Sequence, residues 1–306
     1  MKHFKQITAF CLILLLASSV FAADKIKIGS WNIQNFGISK ANDEAKMEII
    51  GKILSQFDII AVQEISNVYE KSDAGCPRNE NSCPGNKNCD LLLNALKAHL
   101  SNSKDYELMF SPQVKDERYL FIYDRNKVEA MDSGQLAVDP EDNLPVCDTK
   151  SEGKMARQPF YATFKAGKFD FVLMTAHTSP SNNVAELQSL SAFYKRVQSD
   201  NSPQKDVILL GDLNADCSYL KKSMPIDFRR PEYTWVIEDN TDTTVGTNTC
   251  TYDRMIFTKE TTKDYTGNHG VFRFDSEYHL SSSKAKGISD HYPIWAEFYT
   301  NKDTDH

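Results

Sequence analysis

The chain has 306 residues, 41% hydrophobic and 25% charged, ordinary globular values that exclude a disordered or collagen-like protein. Its formal charge of −7 becomes −9 without residues 1–22, which hold two Lys and no acid. That sign excludes a grip on nucleic acid through Lys and Arg alone, so any such chemistry must draw on bound metal cations and local basic loops.

The first residues predict an export signal. Lys2 and Lys5 precede an apolar run from Thr8 to Ala17, and Val20-Phe21-Ala22 closes it with small residues where a signal peptidase reads. The run is shorter than the roughly 20 apolar residues of a membrane helix. Cys11 lies inside it and not at its end, which argues against a lipid anchor. The expectation is a signal peptide over 1–22 and a single domain over 23–306, secreted or periplasmic after cleavage near Ala22.

Short β-rich runs then alternate with a few helices. Strands are predicted over 25–33, 57–65, 117–124, 169–177, 206–214, 252–258 and 291–299. Helices are predicted over 42–56, with Asn42 as N-cap, over 89–100, and over 183–199 after the Pro180-Ser181 break. Gly, Pro, Asn and Asp cluster over 66–88 and 132–158, which read as surface loops. The alternation suits one α/β domain with stacked sheets. Six cysteines follow the signal: Cys76, Cys83, Cys89, Cys147, Cys217 and Cys250. The segment GCPRNENSCPGNKNCD has no Cys-x-x-Cys pair and no His nearby, so disulfides are the better reading than zinc.

The apolar strands run repeatedly into polar residues. Asn32, Glu64, Glu117, His177, Asp212 with Asn214, and the pair Asp290-His291 all stand at predicted strand ends. A buried carboxylate is expensive unless paired or metal-bound. Any one of these has a bland reading: Asn32 as a turn residue, Glu117-Arg118 and Asp253-Arg254 as ion pairs, His177 as a strand cap. Together they form a coherent set. Asn32, Glu64, Asp212, Asn214 and Asp290 are hard oxygen donors suited to Mg²⁺ or Ca²⁺. His177 and His291 can move a proton near neutral pH, and Glu117 and Asp253 are carboxylates of the kind that orient an imidazole. Such a set suits phosphoester hydrolysis.

These residues, with the segments WNIQNFG, ERYLF, ARQPF, AHTSPSNNVAEL, GDLNADCSY, DTTVGTNTCTYDR and SDHYP, resemble the endonuclease/exonuclease/phosphatase superfamily, specifically its deoxyribonuclease I branch. The likeness spans essentially the whole mature chain. GD-x-N with SDH belongs to the whole superfamily, whereas GDLNADCSY, AHTSPS and the Cys-x-Tyr-Asp-Arg run are narrower. The resemblance implies an α/β fold, a four-layer αββα sandwich of two packed mixed β-sheets. It implies a secreted, divalent-metal-dependent endonuclease that hydrolyses DNA phosphodiesters by His/carboxylate general acid–base catalysis.

By the same resemblance the catalytic pairs are His177 with Glu117 and His291 with Asp253. Metal and phosphate ligands are Asn32, Glu64, Asp212, Asn214 and Asp290, for Mg²⁺ or Mn²⁺. Arg157, Asn214 and Lys115 face the substrate. A structural Ca²⁺ loop falls on Asp242 and Thr244, with Gly246 where a threonine is usual, and a disulfide falls on Cys217 and Cys250. DNA is the implied partner of a single-domain monomer, with no membrane and no visible basis for actin binding.

Three departures stand out. Ser66 replaces the family's minor-groove arginine, and Lys115 replaces a groove-packing tyrosine. The family's small second-loop disulfide is missing, so Cys76, Cys83, Cys89 and Cys147 can form two bridges in any of three ways. The rival readings keep the fold and change the substrate, as a phosphatase, a sphingomyelinase or a toxin-type nuclease subunit. A non-catalytic binding protein on the same scaffold would carry broken catalytic positions, and none is broken.

Overall fold

A computed structural model describes residues 24–66, 87–137, 155–200 and 206–304. The Ile-rich start of the mature chain forms strand β1 (Lys25–Phe36), buried along most of its length. It pairs in parallel with β2 (Ile59–Ser66) and antiparallel with β13 (Ile294–Tyr299). With β3 (Tyr106–Phe110), β4 (Glu117–Asp124) and β12 (Tyr265–Val271) these make a six-stranded mixed sheet in the order β12-β13-β1-β2-β4-β3. The second sheet runs β10 (Tyr233–Trp235), β11 (Asp253–Thr258), β9 (Val207–Asp212), β8 (Phe169–His177), β7 (Phe160–Ala166), β5 (Glu129–Ala130), with β6 (Gln135–Leu136) also beside β7. Only β8 and β9 pair in parallel there.

The sheets face each other through a core of Ile28, Ala61 and Phe121 from the first and Phe164, Phe171, Leu173, Ile208 and Leu210 from the second. Helices α1 (Ile38–Ala41), α2 (Glu44–Leu54), α3 (Lys87–His99), α5 (Phe274–Glu277) and α6 (Ser282–Ile288) accompany the first sheet. The stripe Met47, Ile50, Ile53 and Leu54 of α2 packs with Trp31, Ile60 and Leu120, the one-faced burial that an amphipathic helix requires. Helix α4 (Asn183–Asp200) lays Leu187, Leu190, Tyr194 and Val197 on Val172, Met174 and Leu209 of the second sheet. The result is the expected helix–sheet–sheet–helix layering.

Several boundaries differ from the sequence reading. The helix expected over 42–56 is two: Asn42 ends α1, and α2 starts at Glu44 with Asp43 as its cap, accepting from the Lys46 amide at 3.2 Å. Strands β3, β5, β6, β7, β10 and β12 were not expected, and β6 falls within the segment read as a loop. The burial of β7 alternates strictly, the pattern of a half-buried strand. β12 (YTGNHGV) has almost no apolar content and exists as an edge strand through its pairing with β13. No helix among the described residues is long and apolar enough to cross a membrane. The expected signal over 1–22, the segments carrying Cys76, Cys83 and Cys147, and the side chain of Cys89 lie outside the described residues.

Candidate active site

Topology gathers the polar strand ends at one edge of the sandwich. β1, β2, β8 and β9 finish there, while β4, β11 and β13 run the other way and begin there. Register does the rest in the second sheet: Asp212 lies opposite His177 on one side and opposite Asp253 on the other. In the first sheet Asn32 pairs with Gln63, and Glu117 pairs with Ser66.

The backbone is shaped for this. Gly211 has φ +148°, and a Cβ there would stand 2.0 Å from the Ala176 carbonyl oxygen, so the residue before Asp212 must be glycine. Glu64 (φ 61°) and Asn214 (φ 45°) are non-glycine residues in the left-handed region, a conformation costing about 1–3 kcal/mol that concentrates at functional sites. The β2–β4 ladder shifts register between Val62 and Ile65, around Glu64.

Two imidazoles converge on one carboxylate. Nε2 of His177 lies 3.6 Å and Nε2 of His291 3.5 Å from Oδ2 of Asp212. Behind them, His177 Nδ1 stands 3.0 Å from both oxygens of Glu117, and His291 Nδ1 stands 2.8 Å from Oδ2 of Asp253. Burial pushes the His177 imidazole down, but Glu117 and then Asp212 outweigh it and hold it above its ordinary value, with Arg157 opposing. His291 is likewise pushed down by burial and more than restored by Asp253, Asp212 and Asp290, reaching about 10. Asp212, though fully buried, is held below the usual carboxylate range by the two histidines, the Asn214 amide and Asn32. Burial raises Asp253.

Asn32, wholly buried, donates from Nδ2 to Glu64 Oε1 at 2.8 Å and to Asp212 Oδ2 at 3.0 Å, joining the acids of the two sheets. Glu64 Oε2 takes the Asn35 amide at 2.9 Å. Among the described residues no Lys or Arg is ion-paired with Asp212, whose ion-pair partners are the two imidazoles. Donor atoms of Asp212, Asp253 and His291 lie within 4.8 Å of one another and could hold an ion. The carboxylates of Glu64 and Asp212, joined through Asn32, are hard oxygen donors of the kind Mg²⁺ or Mn²⁺ takes, whereas the His291 imidazole is not.

The remaining expected residues divide. Asp290 is half exposed, with Oδ1 3.9 Å from His291 Nε2. Asn214 donates to the Thr178 carbonyl at 2.9 Å, and its amide caps Asp212 Oδ1 at 3.0 Å. Arg157 reaches the site, its Nε 3.2 Å from Glu117 Oε2. Lys115 projects from the exposed turn before Glu117. The bland readings of the acid–arginine neighbours fail: Glu117 and Asp253 face the histidines, while Arg118 donates to the Ser111 carbonyl and Arg254 to Asp239. The expected calcium loop does not fit an ion. Asp242 Oδ1 takes the Thr244 amide (3.0 Å) and hydroxyl (2.9 Å), and Oδ2 takes the Arg273 guanidinium (3.0 Å).

Sequence reasoning missed the residues that hold this set. Ser289 donates to the Asn32 carbonyl (2.7 Å) and accepts the His291 amide (3.0 Å). Trp31 donates to the His291 carbonyl at 2.9 Å. Glu186 on α4 accepts from the Ala156 and Ser179 amides, tying down the segments next to Arg157 and His177. Lys40 donates to the carbonyls of Ile33, Gln34 and Ile288, at 2.9, 2.6 and 2.8 Å. Burial, aided by Lys46, lowers it to about 8 against the pull of Asp290 and Glu64. A lysine in FGISK gives no signal of that role, because its partners are backbone atoms.

Residues 29–291, an interval holding every expected catalytic, substrate and metal residue, match the Endonuclease/Exonuclease/phosphatase family. The chain is 30% identical to Deoxyribonuclease-1 of Bos taurus over 294 residues, 92% of this chain and 95% of that protein. It is 30% identical to Deoxyribonuclease gamma of Rattus norvegicus over 295 residues, 92% of this chain and 87% of the other. Among solved structures, D. rerio TDP2 complexed with single strand DNA product matches with a TM-score of 0.56 at 14% identity, covering 91% of this chain and all of that one. At that identity the likeness carries the fold alone.

Proposed function

The chain belongs to the endonuclease/exonuclease/phosphatase family, in its deoxyribonuclease I branch, and from that premise we propose that it is a divalent-metal-dependent endonuclease cutting DNA phosphodiester bonds. The observation that carries this reading is Asp212 Oδ2 standing between two imidazoles, each backed by a buried carboxylate. One phosphorus centre between Nε2 of His177 and Nε2 of His291 has a proton acceptor and a proton donor at hand.

The electrostatics divide the roles. His291 is surrounded by Asp253, Asp212 and Asp290 and holds its proton at neutral pH, so it is the acid that protonates the leaving oxygen. His177, whose ring is held by Glu117 as that of His291 is held by Asp253, is then the group left to take the proton of the attacking water. As water bonds to phosphorus the ester oxygen leaves, and one proton has moved from water to His177 and one from His291 to product. Glu117 and Asp253 fix each ring and favour its charged form. Asn32, Glu64, Asp212, Asn214 and Asp290 would hold the metal. When bound, Mg²⁺ or Mn²⁺ offsets the charge that develops on the phosphoryl oxygens. Arg157 and Lys115 supply local positive charge to a chain whose overall sign opposes DNA.

A single domain over 23–306, monomeric and exported by residues 1–22, completes the proposal. The Cys217–Cys250 bridge suits an oxidising compartment. Plasmid nicking should stop with chelator and return with Mg²⁺, while inositol phosphates and sphingomyelin in parallel assays stay intact. Full nicking in metal-stripped buffer sinks the mechanism, and preferential cleavage of either other substrate sinks the DNA assignment.

A further inference from the structure

The loop before β11 backs the catalytic edge from outside. Thr243 accepts the amides of Tyr252 (3.1 Å) and Asp253 (3.3 Å) on its hydroxyl, and the Tyr292 amide (2.8 Å) on its carbonyl. The Val245 amide donates to the Asp290 carbonyl at 2.7 Å, and Thr244 bridges His291. The loop thus grips Asp253 and both neighbours of His291, and whatever fixes it also fixes that pair.

The resemblance places calcium here, and the residues of this chain do not leave room for it. Ca²⁺ takes six to eight oxygens, several from carboxylates. Asp242 has both oxygens engaged, one by Thr244 and one by Arg273. The Thr244 hydroxyl is turned between Asp242 and the Asn248 carbonyl, at 2.9 and 2.5 Å. Arg273 is itself held, its guanidinium carbon 4.2 Å from the ring centroid of Tyr292, the residue after His291. Where a threonine oxygen was expected, Gly246 (φ +147°) faces Lys286 instead: a Cβ there would lie 3.0 Å from its Cε and 3.2 Å from its Nζ. A donor is missing and two cations stand at the loop, both unfavourable to a divalent ion.

We propose that the Arg273 guanidinium takes the place of a structural calcium, so that the loop behind His291 and Asp253 is held by the chain's own charge. The inference concerns the loop and stands whichever phosphoester is cut, and its test is read by melting. At fixed excess Mg²⁺, Tm is measured in EGTA and in Ca²⁺ for the full protein, for Asp242→Asn and for Arg273→Met. The expected result is that Ca²⁺ moves the wild type and Asp242→Asn equally, while Arg273→Met melts a few degrees lower in EGTA. A Ca²⁺-dependent rise of roughly 5 °C, as about a hundredfold excess over Kd gives a domain of this size, present in wild type and lost in Asp242→Asn, overturns it. If Asp242→Asn does not fold, Arg273→Met decides alone. Freed of the guanidinium, its loop should gain more from Ca²⁺ than the wild type does, and an unchanged Tm in EGTA with an equal Ca²⁺ response also overturns the proposal.

Discussion

Single residues were legible where they stood at the end of an apolar strand. Asn32, Glu64, Glu117, His177, Asp212 and His291 interrupt runs that burial would otherwise keep apolar, and the structure brings all of them to one edge. Their supports were not legible, because Ser289, Glu186 and Lys40 act on backbone atoms whose positions the sequence does not state. His177→Ala, His291→Ala and Asp212→Ala should each lower kcat by about 10²–10⁴ on plasmid while leaving the far-ultraviolet dichroism unchanged. A variant with near-wild-type turnover leaves the catalytic set. The raised His291 also makes a statement about stability. Its folded pKa, about 10, lies above the ordinary 6.5, so the folded state keeps the proton longer than the unfolded chain. Its contribution is therefore complete below pH 6.5 and fades as pH rises through about 10. In EDTA, the unfolding free-energy gap between wild type and His291→Gln should be constant in mild acid and shrink steadily above neutrality. A gap that does not change with pH contradicts the assignment.

At the scale of elements, long buried strands and α4 were readable from periodicity, whereas short or edge elements were not. β12 carries Thr, Gly, Asn and His where a strand template seeks apolar residues, and only β13 beside it makes it a strand. Asn42 was expected to start one helix, but it closes α1, and Asp43 caps α2 in its place. Connections between elements carry two predictions. Lys40 binds the last residues of β1 to the end of α6 through three carbonyls. Lys40→Met should release both segments, loosening Asn32 and Asp290 together. We expect kcat to fall about tenfold or more with part of the loss recovered at high Mg²⁺, since a displaced ligand set binds more weakly and is not destroyed. No recovery at any Mg²⁺ concentration argues for a different role. Cys217–Cys250 ties the turn after β9 to the segment entering β11 across a separation of 33 residues. By chain entropy the bridge contributes roughly 3–4 kcal/mol. Cys217→Ala/Cys250→Ala should unfold at a correspondingly lower urea midpoint, and an unshifted midpoint refutes that contribution.

The whole molecule poses the question of how an acidic protein holds duplex DNA. Lys and Arg neutralising phosphates supply most of the affinity of ordinary binders, and this chain has a net charge of −7. Ser66 sharpens the problem, because the family resemblance puts a minor-groove arginine there. In the structure Ser66 ends β2 opposite Glu117, and a Cβ on Gly37 would come only 3.3 Å from its Cβ. It therefore sits beside the catalytic edge, next to a residue with no side chain to obstruct a longer one. Serine carries no charge and is too short to enter a groove, so binding here should be weak and insensitive to groove width. A phosphate contact from Lys115, exposed on the turn before Glu117, would add salt dependence without sequence preference. Ser66→Arg should then lower KM on duplex DNA, sharpen the cutting pattern, and steepen the dependence of log KM on log salt by at most about 0.9, one added charge contact. The rate on bis(p-nitrophenyl) phosphate, which has no groove, should stay the same. A changed small-substrate rate with unchanged DNA cutting would place Ser66 against the reacting centre and away from the groove.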